Sequence, residues 1–220
     1  MAPRHPLGFT LRHPRRVLHR RRTVRSSALA HRWLDGLQGV EIGGAAHNDF
    51  GLHTINVDRY DSDDTVFKRE ERRLCGRTMP VDVVAPGDEL PFEDGAFDFV
   101  LASHVIEHMY DPIRALEEWR RVARRYVFLV VPHRDRTFDR NRPLTPLSEL
   151  IGRHAGERRP EEDRHWSVWT LRTFEELCAY VRLPVLETLD PDDKTGNGFM
   201  VVLDASQRRP EDSASSSSSD

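Results

Sequence analysis

The residues with the clearest chemical potential form a glycine turn and an acidic residue, each placed after a short apolar stretch. The segment Glu41–Ala46 contains Gly43 and Gly44, and Asp58 ends the next apolar stretch. Glycines have no Cβ, so they allow a tight turn and a close approach of the backbone to a ligand. A carboxylate at the end of a neighbouring strand can accept hydrogen bonds from both hydroxyls of a ribose. Together these features favour a nucleotide-type site, whereas a simple turn and a cap explain each of them taken alone.

Strand-like and helical patterns alternate along the chain and supply the elements that must position these residues. Strands are predicted over 39–44, 54–57, 81–84, 97–102, 126–131, 184–189 and 198–204. Helices are predicted over 26–37, 64–74, 112–124 and 171–181, the second of them a charged surface helix. Only about ten residues connect the first two strands, so the helix between them must be very short or absent. The alternation predicts an α/β domain with a mostly parallel sheet, in which one of the last two strands runs antiparallel.

The 220-residue chain has a formal net charge of −3 that hides a strong asymmetry. Residues 1–34 carry nine Arg and no acid, whereas the remainder carries 24 bases and 36 acids, a net charge of −12. We predict a basic N-terminal arm with the start of a helix at 1–34, a domain at 35–205 with an insert at 133–169, and a disordered Ser-rich tail at 206–220. The insert contains one predicted helix near residues 147–151. The arm is suited to nucleic acid, to an anionic surface, or to packing against the acidic body.

The apolar stretches of the chain are short. The longest, Tyr126–Val131, has six residues, whereas a bilayer-spanning helix needs about 20. The N-terminal stretch also lacks the apolar block of a secretory signal. We therefore expect a cytoplasmic protein with no membrane partner, in which Cys75 and Cys178 are reduced thiols rather than a disulfide.

A block of motifs between the third predicted strand and the third predicted helix carries a family resemblance. Leu90-Pro91-Phe92, Phe97-Asp98 and Glu107-His108 follow one another in that order, before a helix and a strand. The arrangement resembles the class I S-adenosylmethionine-dependent methyltransferases, strongly over residues 38–133. The sequences of Gly43–Gly51 and His133–Asp139 resemble those of a bacterial subgroup often associated with glycan biosynthesis. The resemblance implies a Rossmann-like, mostly parallel seven-stranded sheet with helices on both faces and an antiparallel last strand, extending to about residue 205.

The resemblance also implies where S-adenosylmethionine would bind. The first cofactor motif, which holds the methionine part, matches Glu41, Gly43, Gly44 and Ala45. The ribose-binding acid matches Asp58, the adenine-side loop runs from Ala85 to Leu90, and the strand end beside the methyl group matches Ser103 and His104. The chain departs from the pattern at Ala45, where a third glycine is usual, and at Pro86, where an acid is usual.

Methyl transfer from a sulfonium is an in-line displacement, so the enzyme mainly aligns the acceptor with the methyl group. A hydroxyl acceptor also needs a base, and histidine is the usual one near pH 7. His104 and His133 follow the fourth and fifth predicted strands and are the candidate catalytic bases. The alternative is that either ring hydrogen-bonds a loop and orders the rim of the pocket. His108 is predicted to be structural.

The insert supplies the candidate acceptor-binding residues. Arg134, Asp135 and Arg136 suit a sugar phosphate, a nucleotide sugar or a uronic acid, because the planar guanidinium matches phosphate and carboxylate. The alternative is a solvated loop with internal ion pairs. His165 and Trp166 would close over an acceptor or pack within the insert. No metal site is predicted, since the spacing of His133, Asp135 and His165 does not enforce one.

The leading functional hypothesis is an S-adenosylmethionine-dependent methyltransferase that methylates an oxygen of a sugar, a nucleotide sugar or another small polar metabolite, including natural products. One alternative is an RNA methyltransferase guided by the Arg-rich arm. The −12 charge of the body makes nucleic acid an unlikely partner, because phosphates would be repelled. The other alternative is a non-catalytic, cofactor-binding member. The oligomeric state is left open.

Overall fold

The computed structural model describes residues 25–62, 64–157 and 164–206. The predictions of an Arg-rich arm over residues 1–24 and of a serine tail over 207–220 lie outside these residues. Within the described part of the chain, no helix is long and apolar enough to cross a bilayer. Cys75 and Cys178 are both free thiols.

Strands and helices alternate as the sequence predicts. The strands are β1 Gly39–Ile42, β2 Thr54–Asp58, β3 Val83–Val84, β4 Phe97–Ser103, β5 Ala123–Pro132, β6 Val185–Leu189 and β7 Gly198–Asp204. The α-helices are α1 Ala28–Leu34, α2 Val66–Cys75, α3 Pro112–Val122, α4 Leu147–His154 and α5 Leu171–Tyr180. Short 3₁₀ segments lie at Ile106–His108, Arg134–Arg136 and Phe138–Asn141.

The strands form one sheet with the order β3-β2-β1-β4-β5-β7-β6. Strands β1 to β5 pair in parallel, and β7 runs antiparallel to both of its neighbours, β5 and β6. This confirms the predicted mostly parallel sheet with an antiparallel last strand. The strand order reverses direction between β1 and β4, and the carboxyl ends at such a switch point form the usual ligand-binding crevice of an open α/β sheet.

Helices cover both faces of the sheet, because the buried side chains of each strand alternate between two apolar clusters. Val100 and Ala102 of β4 belong to the cluster that contains Trp119 of α3. Phe99 and Leu101 face the opposite side, in the cluster that contains Leu34 of α1. Since α1 packs on the sheet, the segment at the predicted junction between arm and domain is part of the folded core.

Helix α3 is shorter than predicted and strand β5 is longer. The helix ends at Val122 instead of residue 124, and β5 begins at Ala123 with an extended backbone. Ala123 pairs with Phe97 of β4, and the neighbouring Asp98 carboxylate accepts a hydrogen bond from the guanidinium of Arg124 at 3.0 Å and lies 3.7 Å from that of Arg125. These two arginines are thereby held along the sheet and not along the helix.

The connection between β1 and β2 and the insert after β5 shape the site edge. Residues 43–53 are all described and contain turns but no helix, as the short spacing predicts. The helix predicted within the insert is α4. The two ends of the insert meet, because His133 and Trp169 form a parallel bridge and the Arg134 amide donates to the Trp169 carbonyl at 2.9 Å.

Candidate active site

The sheet register brings the predicted site residues of three strands, β1, β2 and β4, to one edge. Ile42, the last residue of β1, pairs with Val57 on one side and with Ala102 on the other. The residues that follow these three along the chain are Gly43, Asp58 and Ser103, so all of them lie at the carboxyl edge. His104 joins the same edge, where its amide donates to the Val130 carbonyl of β5 at 2.9 Å.

The glycine turn requires its two glycines for different reasons. Gly43 has a φ of +66°, a left-handed conformation that favours glycine, and a Cβ on it would lie 2.9 Å from the Val105 side chain. A Cβ on Gly44 would lie only 2.7 Å from Oδ1 of Asn56. Ala45, in contrast, is not among the described residues with positive φ, so this position has no conformational need for the usual third glycine.

The side chain of Asn56 in β2 hydrogen-bonds the backbone of the glycine turn. Its Oδ1 accepts a hydrogen bond from the Gly44 amide at 2.9 Å, and its Nδ2 donates to the Pro80 carbonyl at 2.7 Å. The side chain is buried. Sequence reasoning missed this residue, although an amide side chain within an apolar strand is a recognisable sign of a buried polar contact.

Replacing Asn56 by Leu should lower the free energy of unfolding by about 2–4 kcal/mol, because it leaves the Gly44 amide and the Pro80 carbonyl buried without partners. Urea denaturation measures the loss. The neighbouring variant Ile55→Leu changes a side chain that is partly exposed and should cost less than about 0.5 kcal/mol. Equal losses in the two variants would contradict the role assigned to Asn56.

A buried ion pair on α2 supports the other side of the turn. The Glu71 carboxylate accepts hydrogen bonds from the Ala46 and Met79 amides and lies 3.3 Å from Nζ of Lys68, which in turn donates to the Met79 carbonyl at 2.9 Å. Lys68 is 3% exposed and Glu71 is 1% exposed. The prediction of a charged surface helix is therefore wrong for this face, because the two charges pair with each other and with backbone groups.

Glu41 lies in β1, two residues before Gly43 of the glycine turn. It is buried and accepts a hydrogen bond from Oγ1 of Thr54 at 3.3 Å. Burial, followed by the nearby Asp49 carboxylate, raises the pKa of Glu41 to about 7, against the opposing effects of Thr54 and Lys194. Nζ of Lys194 donates to the Asp49 carbonyl at 2.6 Å, so a β6–β7 loop residue that was not predicted for the site reaches this region.

The residues predicted for the adenosine part have suitable chemistry. The Asp58 carboxylate accepts a long hydrogen bond, 3.3 Å from the Tyr60 amide, and burial raises its pKa. Next to it the Ala85 amide donates to the Asp58 carbonyl at 3.1 Å, and Ala85 and Leu90 are buried apolar residues. Nε1 of Trp119 donates to the Gly87 carbonyl at 2.8 Å and anchors this loop to α3. The residues therefore fit a nucleoside: a carboxylate for the ribose and an apolar wall for the base.

His104 is the candidate base at the carboxyl end of β4. Its φ is +56°, and its Nε2 is buried with no hydrogen-bond partner among the described residues. Burial lowers the pKa of His104 to about 4, so the ring is neutral at pH 7. Beside it, Oγ of Ser103 accepts a hydrogen bond from Nδ2 of Asn48 at 2.7 Å, which draws the glycine-turn loop over the end of β4.

His133 differs from His104 in its hydrogen bonding. Its Nδ1 accepts a hydrogen bond from the Asp135 amide at 3.1 Å, so the neutral ring carries its hydrogen on Nε2. Burial, and then Arg136, lowers the pKa of His133. The ring is thus arranged to donate a hydrogen bond from Nε2, whereas His104 is arranged to accept one.

The predicted acceptor-binding arginines form ion pairs with other residues of the protein, Arg134 within its own loop and Arg136 with a residue that follows β6. Nε of Arg134 donates to the Asp135 carboxylate at 2.7 Å, and Nη2 of Arg136 donates to the Asp190 carboxylate and, at 2.9 Å, to the Gly198 carbonyl. These pairs match the alternative of internal ion pairing. Contact of Arg134, Asp135 and Arg136 with an acceptor stays a prediction.

His165 and Trp166 pack against the corner that follows β4. The Trp166 amide donates to the Glu107 carbonyl at 2.7 Å, and the Trp166 indole meets the Tyr110 ring edge-on at 5.0 Å. Nδ1 of His165 lies 2.5 Å from Oδ2 of Asp139, and its Nε2 lies 3.9 Å from Oε1 of Glu107. His165 and Trp166 thus both pack against neighbouring residues of the protein. Their role in covering an acceptor stays a prediction.

Glu107 is the residue at this corner that sequence reasoning left without a role. It is fully buried, and burial raises the pKa of Glu107 to about 8. Oε1 of Glu107 lies 3.7 Å from Nδ1 of His104 and 4.0 Å from Nε2 of His108. The Glu-His motif places this acid directly beside a histidine in the sequence, and that was the signal that could have pointed to Glu107. His108 itself contacts the rings of Phe67 and His165 edge-on.

Comparisons with known proteins identify the domain. Residues 42–131 match a family model described as a methyltransferase domain. A sequence comparison with curated proteins finds no match. Among solved structures, a SAM-dependent methyltransferase from Methanosarcina mazei superposes with a TM-score of 0.53 at 18% identity, covering 80% of this chain and 96% of that one.

A second similar structure comes from the complex between the Haloferax volcanii Trm112 methyltransferase activator and a putative methyltransferase. It gives a TM-score of 0.50 at 15% identity, covering 78% of this chain and 84% of that chain. At these identities the structures establish the fold, and the family model establishes the domain. The chain therefore contains a methyltransferase domain, matched over residues 42–131, within a Rossmann-like fold of the class I type.

Proposed function

We propose that the enzyme methylates a hydroxyl group of a sugar, a nucleotide sugar or another small polar metabolite. The observation that carries this proposal is His104, whose Nε2 is buried without a protein partner at the carboxyl end of β4. When bound, S-adenosylmethionine supplies a methyl group on a positively charged sulfur. The residues described above then have to hold the cofactor, orient the acceptor and take up its proton.

The cofactor would be held along the edge formed by β1, β2 and β4. Glu41 and the turn from Gly43 to Ala45 would hold the methionine part, and Asp58 would accept the ribose hydroxyls. The buried Ala85 and Leu90 provide an apolar surface for the adenine. With this placement, Ser103 and His104 lie at the end of the cofactor that carries the methyl group.

A hydroxyl acceptor must lose a proton as its oxygen bonds to the methyl carbon and the carbon–sulfur bond breaks. The neutral His104 ring is suited to take that proton at Nε2, and general-base assistance of this kind accelerates reactions about 10²- to 10⁴-fold. An amine acceptor with a free lone pair has less need of a base, so the unpartnered Nε2 favours oxygen as the acceptor atom.

The polarity of the acceptor side favours a hydroxylated and charged substrate. His133 can donate a hydrogen bond from Nε2, and the guanidinium of Arg134 is partly exposed. Guanidinium groups bind phosphate and carboxylate with matching geometry. These features support a sugar phosphate, nucleotide sugar or uronic acid within the proposed class.

Replacing Asp58 by Asn should weaken S-adenosylmethionine binding about 10- to 100-fold, because hydrogen bonds to a charged acceptor contribute about 1.5–3 kcal/mol. Isothermal titration calorimetry measures the dissociation constants. Asp61→Asn is the matched control, since Asp61 is exposed shortly after the same strand and should bind the cofactor as the unmodified protein does. Unchanged affinity in the Asp58 variant would contradict the ribose assignment.

The proposed acceptor class is tested with S-adenosylmethionine labelled with ¹³C on the methyl group. The protein is incubated with panels of nucleotide sugars, sugar phosphates, uronic acids, amines and RNA, and products are analysed by NMR and mass spectrometry. A labelled O-methyl ether on a member of the first three panels is the expected product. Labelled methyl found only on nitrogen or in RNA would contradict the proposal.

A further inference from the structure

A buried carboxylate lies at the corner after β4 without a hydrogen-bond donor. Neither carboxylate oxygen of Glu107 has a hydrogen-bond partner among the described residues, and the side chain is 0% exposed. Burying a carboxylate without compensation is costly, so such groups take up a proton, pair with a cation or coordinate a metal. Imidazole nitrogens of His165 and His108 lie 3.9 and 4.0 Å from Oε1.

The spacing of these atoms suits a shared metal ion. The ligand atoms of Glu107, His108 and His165 all lie within 4.8 Å of one another. Two atoms bonded to the same tetrahedral zinc ion at about 2.0–2.1 Å lie about 3.4 Å apart. The histidine-to-carboxylate distances of 3.9 and 4.0 Å exceed this by about 0.5 Å, and all three ligand atoms lie within 4.8 Å of one another, so the side chains would have to move together by about 0.5–1.5 Å to complete a three-ligand site.

The surroundings of His165 orient it as a ligand. Its Nδ1 is bonded to Oδ2 of Asp139, whose Oδ1 accepts a hydrogen bond from Arg142 at 2.7 Å. A carboxylate bonded to one ring nitrogen fixes the tautomer, so that the lone pair of the other nitrogen is available. In His165 that other nitrogen is Nε2, the one that faces Glu107.

We propose that Glu107, His108 and His165 bind one divalent transition-metal ion, with zinc the best match to this donor set. Two histidines and one carboxylate form a three-protein-ligand zinc site with an open position. The metal would join the insert, through His165, to the corner that follows β4. It would neutralise the Glu107 carboxylate and reinforce the contact that the Trp166 amide makes with the Glu107 carbonyl.

This site differs from the grouping that the sequence suggested. Of His133, Asp135 and His165, only His165 is among the described residues that converge on a common point. Nδ1 of His133 is instead occupied by the Asp135 amide. The proposal does not depend on the acceptor or on His104 acting as a base, so it can fail or succeed independently of the proposed function.

The test uses the full untagged chain, freed of metal by a chelator and titrated with zinc by calorimetry and with cobalt by visible spectroscopy. One ion per chain is expected, together with the absorption bands of cobalt in a low-symmetry site of few ligands. His165→Gln and His108→Gln should each weaken zinc binding at least about 100-fold, because loss of an outer-sphere partner alone costs about 10- to 100-fold. Asp139→Asn should fall within that smaller range.

Two controls keep the result interpretable. His53→Gln changes an exposed histidine in the connection between β1 and β2 and should bind zinc with unchanged affinity. Circular dichroism and S-adenosylmethionine binding verify that each variant is folded. If His108→Gln or His165→Gln fails to fold, Asp139→Asn provides a milder change at the same site. Absence of stoichiometric binding, or equal affinity in the His165→Gln, Asp139→Asn and His53→Gln proteins, would overturn the proposal.

Discussion

Replacing His104 by Asn should lower kcat for methyl transfer about 10²- to 10⁴-fold, the range that general-base catalysis contributes. Asn cannot accept the acceptor's proton as a base. It does tolerate the left-handed backbone, with its φ of +56°, that His104 adopts at the end of β4. The loss should therefore come from chemistry and not from backbone strain, and the dissociation constant for S-adenosylmethionine should change little.

Arg182 provides a matched control for this experiment. It also has a φ of +56° but lies after α5, away from the predicted site residues in the sequence. Arg182→Asn should retain the kcat of the unmodified enzyme. If His104→Asn keeps kcat within about threefold of the unmodified enzyme, His104 is not the base. The alternative, in which its ring orders the rim of the pocket, would then apply.

Replacing Glu71 by Leu should lower the free energy of unfolding by about 3–5 kcal/mol, the usual cost of breaking a buried ion pair from one side. Nζ of Lys68 would lose its carboxylate partner at 3.3 Å, and the Ala46 and Met79 amides would lose their acceptor. Because the Ala46 amide belongs to the glycine turn, S-adenosylmethionine binding should weaken as well. Urea denaturation and calorimetry measure the two effects.

The neighbouring residue Glu70 gives the control, since it forms an exposed ion pair with Arg73. Glu70→Leu should lower the free energy of unfolding far less than Glu71→Leu does, because exposed ion pairs contribute little to stability. The double variant Lys68→Met/Glu71→Leu should recover part of the stability, because it removes the uncompensated charge. Equal losses from Glu70→Leu and Glu71→Leu would show that the buried pair does not support the turn.

The fold was predictable because its elements carry strong local patterns. Tyr126–Val131 is a continuous β-branched and aromatic run, and the spacing of Ile113, Leu116 and Trp119 marks the buried face of α3. The boundary between these two elements was wrong. Arg124 and Arg125 fit a helix locally, whereas the pairing of Ala123 with Phe97, the Ala205 amide on the Arg125 carbonyl and the contacts with Asp98 place them in β5.

The cofactor side of the site was predictable from the sequence to the extent that it depends on strand ends. Gly43 follows β1, and Asp58 and Ser103 end β2 and β4, so the parallel sheet places them at one edge. The residues that hold the turn were not predictable in the same way. Asn56 and Glu71 act through backbone groups of other segments, and no spacing along the chain reveals such partners.

The acceptor side was harder to predict, because it depends on contacts between the insert and the corner after β4. Glu107 and His165 are distant in sequence and meet only when the insert closes. The same closure gives Asp139 its place behind His165. A sequence pattern shows that these residues have metal-binding and proton-transfer chemistry, but their convergence requires the tertiary structure.

A crystal structure of the protein with S-adenosylhomocysteine tests the central claim most directly. We expect the ribose hydroxyls on the Asp58 carboxylate, the adenine against Ala85 and Leu90, and the sulfur directed toward Ser103 and His104. A ligand bound away from the carboxyl edge of β1, β2 and β4 would contradict the account. So would a ligand whose sulfur faces away from His104.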